Sequence, residues 1–191
     1  MKEDQVRHQI LEAAACRFAN YGYGKTTIAE IASDCTMSSG NIYRYFDNKE
    51  AIAIAGVAVK LEEKALICEQ ATNTTAPAIE QLHQYMLARL RFSHAFNCGG
   101  SHLHELVQLI TDRHHHLIDQ YDQRLIAWLE QIIEQGIASG EFRSQDPTQT
   151  ATSIAMATMM FCIPSFMQEP LPEMEAKLFG LLELLHRGLK A

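Results

Sequence analysis

Apolar residues recur every three or four positions along almost the whole chain, which is the spacing of amphipathic helices. No segment alternates apolar and polar residues like a half-exposed strand, and no Asn-Gly or Asp-Gly pair signals a hairpin. The pattern therefore predicts an all-α fold of about nine helices. Their expected spans are residues 4–21, 27–35, 40–46, 47–69, 77–96, 101–112, 117–138, 147–161 and 173–189.

Two of the predicted helix starts carry the signature of a capping box. Thr27 with Glu30, and Asp47 with Glu50, have the spacing at which the two side chains satisfy N–H groups of the first helical turn. Two short helices joined by a tight turn at residues 36–37 lie between these boxes, and a longer helix precedes them. Three helices in this order indicate a helix-turn-helix unit at the N-terminus.

The short helix predicted at residues 40–46 has two chemically different faces. Ile42 and Phe46 lie four residues apart, and we expect them to anchor the helix on its apolar neighbours. The opposite face is small or polar, as entry into a DNA major groove about 12 Å wide requires. Amide and guanidinium groups there can read base edges, and hydroxyls can bind phosphates. The expected outward residues are Ser39, Gly40, Asn41, Tyr43, Arg44 and Tyr45.

Residues 26–50 resemble the N-terminal signature of TetR-family regulators. The resemblance is carried by Thr26-Thr27-Ile28-Ala29-Glu30-Ile31-Ala32 and, after the turn, by Ser39-Gly40-Asn41-Ile42-Tyr43-Arg44-Tyr45-Phe46-Asp47-Asn48-Lys49-Glu50. The run Tyr-x-Tyr-Phe-x-x-Lys after a helix-turn-helix is its most specific part. The resemblance implies a repressor that binds a palindromic operator in double-stranded DNA as a homodimer and leaves it when a small molecule binds.

The same resemblance assigns domains and roles along the chain. It implies a DNA-binding domain at residues 1–50 and an effector-binding and dimerisation domain at residues 51–191. Phosphate contacts are implied for Thr27, Tyr43 and Lys49, and positions near the bases for Ser39, Gly40, Asn41 and Tyr45. If Lys49 binds a phosphate, replacing it with alanine should reduce the salt slope of DNA binding by about 1.

Charge changes this picture only slightly. The chain has 16 Lys and Arg against 23 Asp and Glu, a formal net charge of −7, which by itself disfavours nucleic acid as a partner. Residues 1–50, however, hold six basic and seven acidic residues, so the acidity is concentrated in the remainder of the chain. A basic surface on the N-terminal unit is therefore compatible with the composition.

The last two helices are predicted to form the homodimer interface. Residues 151–161 are almost wholly apolar or small, and a helix that is apolar all round is expected to be covered on several sides. A leucine stripe on the final helix would complete a four-helix interface between two subunits. A core within one chain is the alternative. The stripe comprises Leu178, Leu181, Leu182, Leu185 and Leu189.

We expect the effector pocket among the middle helices, lined by methionine, leucine and tyrosine. Such side chains suit an adaptable cavity for a small, largely apolar effector. Each of them also fits an ordinary core position. The candidates are Met86, Leu90, Leu106, Tyr121, Leu125, Met156 and Met160.

A second interpretation is a metal- or haem-sensing regulator, or a helical interaction module without DNA affinity. His94, Cys98, His102, His104 and Glu105 cluster near a Gly-Gly break, and His and Cys are ligands of zinc, copper and haem. His102 and His104 would diverge on a helix, however, so we predict no metal site and no cofactor.

Other classes of protein are disfavoured by what the sequence lacks. It contains no H-E-x-x-H, G-x-S-x-G, P-loop or Gly-rich dinucleotide motif, so we predict that the protein is not an enzyme. No apolar run approaches the ~20 residues of a membrane span, and the N-terminus does not resemble a signal peptide. We therefore expect a cytoplasmic protein with no membrane partner.

Overall fold

The computed structural model describes residues 2–97, 102–143, 146–163, 167 and 169–190, and within them the chain is helical. The all-α prediction is confirmed. Nine α-helices and one 3-10 turn, Met159–Phe161, are present in these ranges. The helices are α1 Lys2–Tyr21, α2 Ile28–Asp34, α3 Ser39–Ile42, α4 Lys49–Gln70, α5 Ala78–Asn97, α6 Leu103–Arg113, α7 His116–Ala138, α8 Pro147–Ala157 and α9 Leu171–Leu189.

Most helix ends lie within two residues of the predicted ones, and three differences change the local structure. The helix α3 ends at Ile42 rather than at residue 46, because the N–H groups of Arg44 and Tyr45 donate to the carbonyls three residues back, Asn41 and Ile42, instead of four. At the start of α4, the side chain of Asn48, not Asp47, accepts the N–H of Ala51 at 2.8 Å. The predicted helix at 147–161 is divided, since α8 ends at Ala157 and a 3-10 turn follows.

The chain forms two compact units that are not continuous in sequence. The first comprises Met1–Leu61 and Asn97–Ile118, and the second comprises Glu62–Phe96 and Asp119–Ala191. The helix α6 therefore belongs to the same unit as the helix-turn-helix, and the chain crosses between the units three times. No helix among the described residues is long and apolar enough to cross a membrane.

The first unit is organised around the contacts of α1 with α2 and of α2 with α3. Phe18, Ile31, Ile42 and Phe46 are all buried there. The capping box predicted at the start of α2 is present, with the Thr27 side chain accepting the Glu30 N–H and the Glu30 side chain accepting the Thr27 N–H.

The second unit has an apolar core contributed mainly by α5, α7, α8 and α9. Gly136 is closely covered, because a Cβ there would lie 2.2 Å from the ring of Phe142. The residue before Phe142, Glu141, accepts the N–H groups of Ala78 and Ile79 at 2.7 and 2.8 Å, and so caps α5 from a distant part of the chain.

We expect Gly136→Ala to destabilise the second unit by about 1–3 kcal/mol, since Phe142 is fully buried and the new Cβ would also lie 2.9 Å from the Ala78 Cβ. Denaturant unfolding followed by circular dichroism measures the change. Gly56→Ala is the matched control, because a Cβ at Gly56 meets only Leu11 at an ordinary 4.0 Å. Equal stability of the two variants would contradict this account of the core.

Candidate nucleic-acid interface

The helix α3 presents its polar face to solvent while its apolar residues are buried. Ile42 is 0% exposed and Phe46 is 4% exposed, whereas Tyr43 is 54% exposed. Gly40 and Arg44 are also exposed, and the predicted positions Ser39, Asn41 and Tyr45 are partly exposed. A helix of four residues is not stable alone, so its burial through Ile42 and the following Phe46 holds the polar face outward.

The turn between α2 and α3 is defined by its backbone. Thr36 has a φ of 56°, in the left-handed region that residues other than glycine rarely adopt. The N–H of Met37 donates to the Ala32 carbonyl at 2.8 Å, and the Ser38 hydroxyl accepts the N–H of Asn41 at 3.2 Å. The turn and the N-cap together fix where α3 begins.

The outward face of α3 carries no acidic residue, since residues 35–46 include neither Asp nor Glu. The acids of α2 are neutralised by α1. Arg17 donates to Asp34 at 2.9 Å and lies 3.3 Å from Glu30. The hydrogen bond from Arg17 lowers the pKa of Asp34, and hydrogen bonds from Thr27 lower the pKa of Glu30. The surface around α3 is therefore less acidic than the composition of residues 1–50 indicates.

Two residues assigned to phosphate by resemblance already have protein partners. The Thr27 hydroxyl donates to Glu30 at 2.8 Å. The Lys49 ammonium donates to the carbonyls of Tyr23 and Thr26 at 2.6 and 2.9 Å, and lies 4.3 Å from the centroid of the Tyr23 ring. In this structure Lys49 therefore holds the loop that leads into α2, instead of pointing freely to solvent.

The structure adds a contributor to the interface that sequence reasoning missed. Arg7 on α1 donates to the Tyr45 carbonyl at 3.1 Å, and its guanidinium lies 4.2 Å from the centroid of the Phe46 ring. An arginine in a long helix has no sequence signal for such a contact. Arg7 stabilises the segment after α3 and leaves a positive charge beside it.

The helix α6 contacts the helix-turn-helix through two polar links. Glu105 accepts the N–H of Gly24 at 2.6 Å, and a Cβ on Gly24 would lie 3.2 Å from that carboxylate. At the other end of α6, His114 lies 2.8 Å and Arg113 lies 3.5 Å from Glu50 at the start of α4. These links attach α6 to both ends of the segment that contains α2 and α3.

The seven residues predicted to line one effector pocket are not brought together. Met86, Leu90, Tyr121 and Leu125 are buried in the second unit. Leu106 is buried in the first unit. The remaining two, Met156 and Met160, are 71% and 53% exposed, because they lie on the outer side of the chain segment that includes α8 and the 3-10 turn.

Cationic side chains lie in the same core as those four residues. Lys64 is 7% exposed and Arg89 is 4% exposed. Both approach Tyr121, with the Lys64 ammonium 5.2 Å from its ring centroid and the Arg89 Nε donating to its hydroxyl at 3.2 Å. Arg89 also donates to the Thr158 hydroxyl at 3.3 Å. Burial lowers the pKa of Lys64.

The histidine-rich region gives no metal site in the part of the chain that is described. No group of three or more His, Cys, Asp or Glu residues there could hold a metal ion. Cys98 lies outside the described residues, and the Nε2 of His94 is within hydrogen-bond distance, 3.1 Å, of the Glu169 carbonyl.

The helix α3 faces outward after a capped turn, and a second all-helical unit follows later in the sequence. This combination is typical of a helix-turn-helix DNA-binding regulator. A family model described as bacterial regulatory proteins, tetR family, matches residues 10–55. A second, described as tetracyclin repressor-like, C-terminal domain, matches residues 78–179, more than half of the chain. The chain belongs to the TetR family of transcriptional regulators, which are DNA-binding proteins and not enzymes.

Relatives across the whole length agree with this assignment. YhgD of Bacillus subtilis, an uncharacterized HTH-type transcriptional regulator, is 28% identical over 95% of both chains. The structure of Bacillus subtilis FadR in complex with stearoyl-CoA has a TM-score of 0.71 at 22% identity, covering 95% of this chain and 98% of FadR. KstR2 of Mycobacterium tuberculosis, a ketosteroid transcriptional regulator, has a TM-score of 0.65 at 22% identity, covering 97% and 95%.

We expect Arg44→Ala to weaken binding to every DNA sequence that the protein binds, and to reduce the salt slope by about 1, because Arg44 is exposed at the end of the outward face. Fluorescence anisotropy on labelled duplex DNA at several salt concentrations gives both quantities. Arg143→Ala, an exposed arginine of the second unit, is the matched control and should change neither. A salt slope unaffected by Arg44→Ala would rule out a phosphate contact there.

For Lys49→Ala we expect a lower thermal stability and weaker DNA binding with the salt slope of the wild type. The reason is that the ammonium is engaged by the Tyr23 and Thr26 carbonyls, so its loss loosens the loop before α2. Thermal unfolding and the same salt titration test this. A salt slope reduced by about 1 would instead indicate that Lys49 contacts a phosphate, as the family resemblance implies.

Proposed function

We propose that the protein is a ligand-responsive transcriptional repressor that binds a palindromic operator in double-stranded DNA as a homodimer and is released by a small-molecule effector. The observation that carries the proposal is the outward, acid-free face around α3, held in place by buried Ile42 and Phe46. Action on an operator would place the protein in the cytoplasm, where bacterial DNA lies.

In the proposed complex, α3 enters the major groove. Asn41 pairs with an adenine edge, Arg44 contacts a guanine or a phosphate, and Tyr43 donates to a phosphate. Gly40 lets the backbone approach the DNA, because no side chain stands between them. Ser39 and Tyr45 lie at the margins of this face, where they are partly exposed.

The proposed dimer is formed through α8 and α9, and an uncovered apolar surface supports it. Met156, Met159 and Met160 are 71%, 54% and 53% exposed, and Leu184 on α9 is 66% exposed. The predicted leucine stripe does not form this surface, because it belongs to the core of its own chain: Leu178, Leu182 and Leu189 are buried there, and Leu181 and Leu185 pack against it. Gly180 and Gly188 lie one turn to either side of Leu184, and a Cβ at either would meet nothing within 4 Å. Glycine within a helix costs up to ~1 kcal/mol relative to alanine, and here it leaves room for a second helix to approach closely.

An apolar effector is supported by the second unit and by two relatives. Met86, Leu90, Tyr121 and Leu125 lie on the facing helices α5 and α7, within one buried cluster or beside it. FadR was solved with stearoyl-CoA, and KstR2 is described as a ketosteroid regulator, and both names refer to compounds with a large apolar part. We propose the same general class of compound for this chain.

The coupling between effector and DNA is proposed to pass through α6. The chain runs from α5 into α6 and from α6 into α7, and α6 is bound to the helix-turn-helix by Glu105 and by the pair of Arg113 and His114 with Glu50. A ligand that binds better to one position of α6 shifts the population of that position, and the helix-turn-helix moves with it.

Selection of binding sites from random duplex DNA tests the proposal. We expect the wild type to enrich inverted repeats whose half-site centres lie about one helical turn apart or somewhat more. Leu184→Glu buries a charge at the proposed interface, so it should give monomers by light scattering and enrich no inverted repeat.

The matched control is Gln131→Glu, which adds the same charge to an exposed position on α7 and should leave both the dimer and the selected site unchanged. Enrichment of non-repeated sites by the wild type would contradict the palindromic operator. A dimeric Leu184→Glu variant would contradict the interface, while leaving DNA binding itself intact.

A further inference from the structure

The core of the second unit contains two buried cationic side chains. Lys64 on α4 and Arg89 on α5 are both more than nine-tenths buried. Within the described ranges, neither of them forms an ion pair with a carboxylate. Buried lysine and arginine side chains are almost always paired, because an isolated buried charge costs several kcal/mol.

Three of the groups around the two cations carry no negative charge at neutral pH. Burial raises the pKa of the Cys68 thiol to about 12 and raises the pKa of the phenols of Tyr85 and Tyr121 above their usual value, so all three are neutral. Among the groups that raise the pKa of Lys64, Cys162 has the largest effect and the carboxylate of Asp122 the smallest. Cys162 also has the largest effect among the groups that raise the pKa of Arg89.

Two hydroxyls of α5 also belong to this cluster. Tyr85, Arg89 and Ser93 lie one turn apart along α5 and so share a face of that helix. The Tyr85 and Ser93 hydroxyls are buried and have no hydrogen-bond partner among the described residues. Burial of a hydroxyl without a partner is unfavourable, and both hydroxyls can donate to an anion.

We propose that Lys64 and Arg89 bind the carboxylate of an apolar monocarboxylic acid, with the hydroxyls of Tyr85 and Ser93 as additional donors. The inference rests on the proposed effector-responsive function and names the class of effector. The carboxylate satisfies two cations and two hydroxyls at once, and the tail of the acid lies among Met86, Leu90 and Leu125 on the neighbouring faces of α5 and α7.

A carboxylate fits this position better than a larger anionic group. Arg89 already donates through Nε to Tyr121 and through Nη1 to Thr158, so only its remaining donors are available. A compact group with two oxygens matches these donors and the Lys64 ammonium. A nucleotide head group could not be enclosed where the cations are more than nine-tenths buried, so a coenzyme A ester could not place its phosphates there.

The test compares dodecanoate with dodecanol, which has the same chain length and no charge, and with dodecanoyl-coenzyme A. Calorimetric titration of the full-length protein without DNA measures their affinities. We expect dodecanoate to bind at least about tenfold more tightly than dodecanol, because charged hydrogen bonds of ~1.5–3 kcal/mol correspond to roughly ten- to hundredfold in affinity. Equal affinity of the acid and the alcohol, or no binding of the acid, would overturn the proposal.

Variants locate the site. Lys64→Met and Arg89→Met should each remove the preference for dodecanoate over dodecanol, while Lys60→Met and Arg91→Met, one turn and two residues away, should keep it. Without ligand, Lys64→Met should unfold at the same temperature as the wild type or higher, because an unneutralised buried cation is replaced by an apolar chain of similar length. A variant that is folded and still prefers the acid would refute the assignment, as would tight, Lys64-independent binding of dodecanoyl-coenzyme A.

A second measurement separates this inference from the proposed function. Release of the selected operator is followed by anisotropy as dodecanoate is added. Lys64-dependent binding of dodecanoate without release of DNA would sustain the carboxylate site and contradict the effector mechanism. Release of DNA by dodecanol and dodecanoate at equal concentrations would sustain the effector mechanism and contradict the carboxylate site.

Discussion

The burial of Ile42 and Phe46 is the constraint on which the outward polar face of α3 depends. A four-residue helix has too few internal hydrogen bonds to persist alone, so α3 exists because these two side chains are held in the core of the first unit. Arg7 reinforces this by covering the Phe46 ring and binding the Tyr45 carbonyl. The direction of every outward residue of α3 follows from these contacts.

Helix positions were predictable from sequence because they depend on local spacing and capping, as at Thr27 and Glu30. The hydrogen bonds of the Lys49 ammonium were not predictable from sequence, because their acceptors are backbone carbonyls, which every residue has. The link between Glu105 and Gly24 joins residues 81 positions apart and is likewise invisible to local patterns. The outward face of α3 was found from sequence, whereas the contacts that support it required the fold.

The methionines of α8 show a different limit of sequence reasoning. An apolar residue has the same pattern whether it faces its own core, a ligand or a second subunit. Met86 is buried in the second unit, whereas Met156 is 71% exposed, although both were assigned to one pocket by residue type. Conversely, Lys64 and Arg89 were overlooked because polar residues on predicted helices are normally solvated. Burial distinguishes these cases, and burial is a property of the folded chain.

The buried polar cluster also bears on how binding of a ligand can change the affinity for DNA. Within the described residues, two buried cations lack a carboxylate ion pair and two buried hydroxyls lack a hydrogen-bond partner, which makes this core less stable than an apolar core of the same volume. An anion that relieves this cost binds the folded second unit strongly, and the stabilisation grows with its concentration. Binding energy shifts a conformational equilibrium only if it differs between the two conformations.

Tyr121, which contacts both cations, lies on α7 shortly after the chain leaves α6. Any arrangement of α6 that alters the position of Tyr121 therefore alters the affinity for the anion. If the affinity for the anion depends on the arrangement of α6, reciprocity requires the anion to favour one arrangement of α6 over another. The helix α6 carries the contacts of Glu105, Arg113 and His114 to the helix-turn-helix.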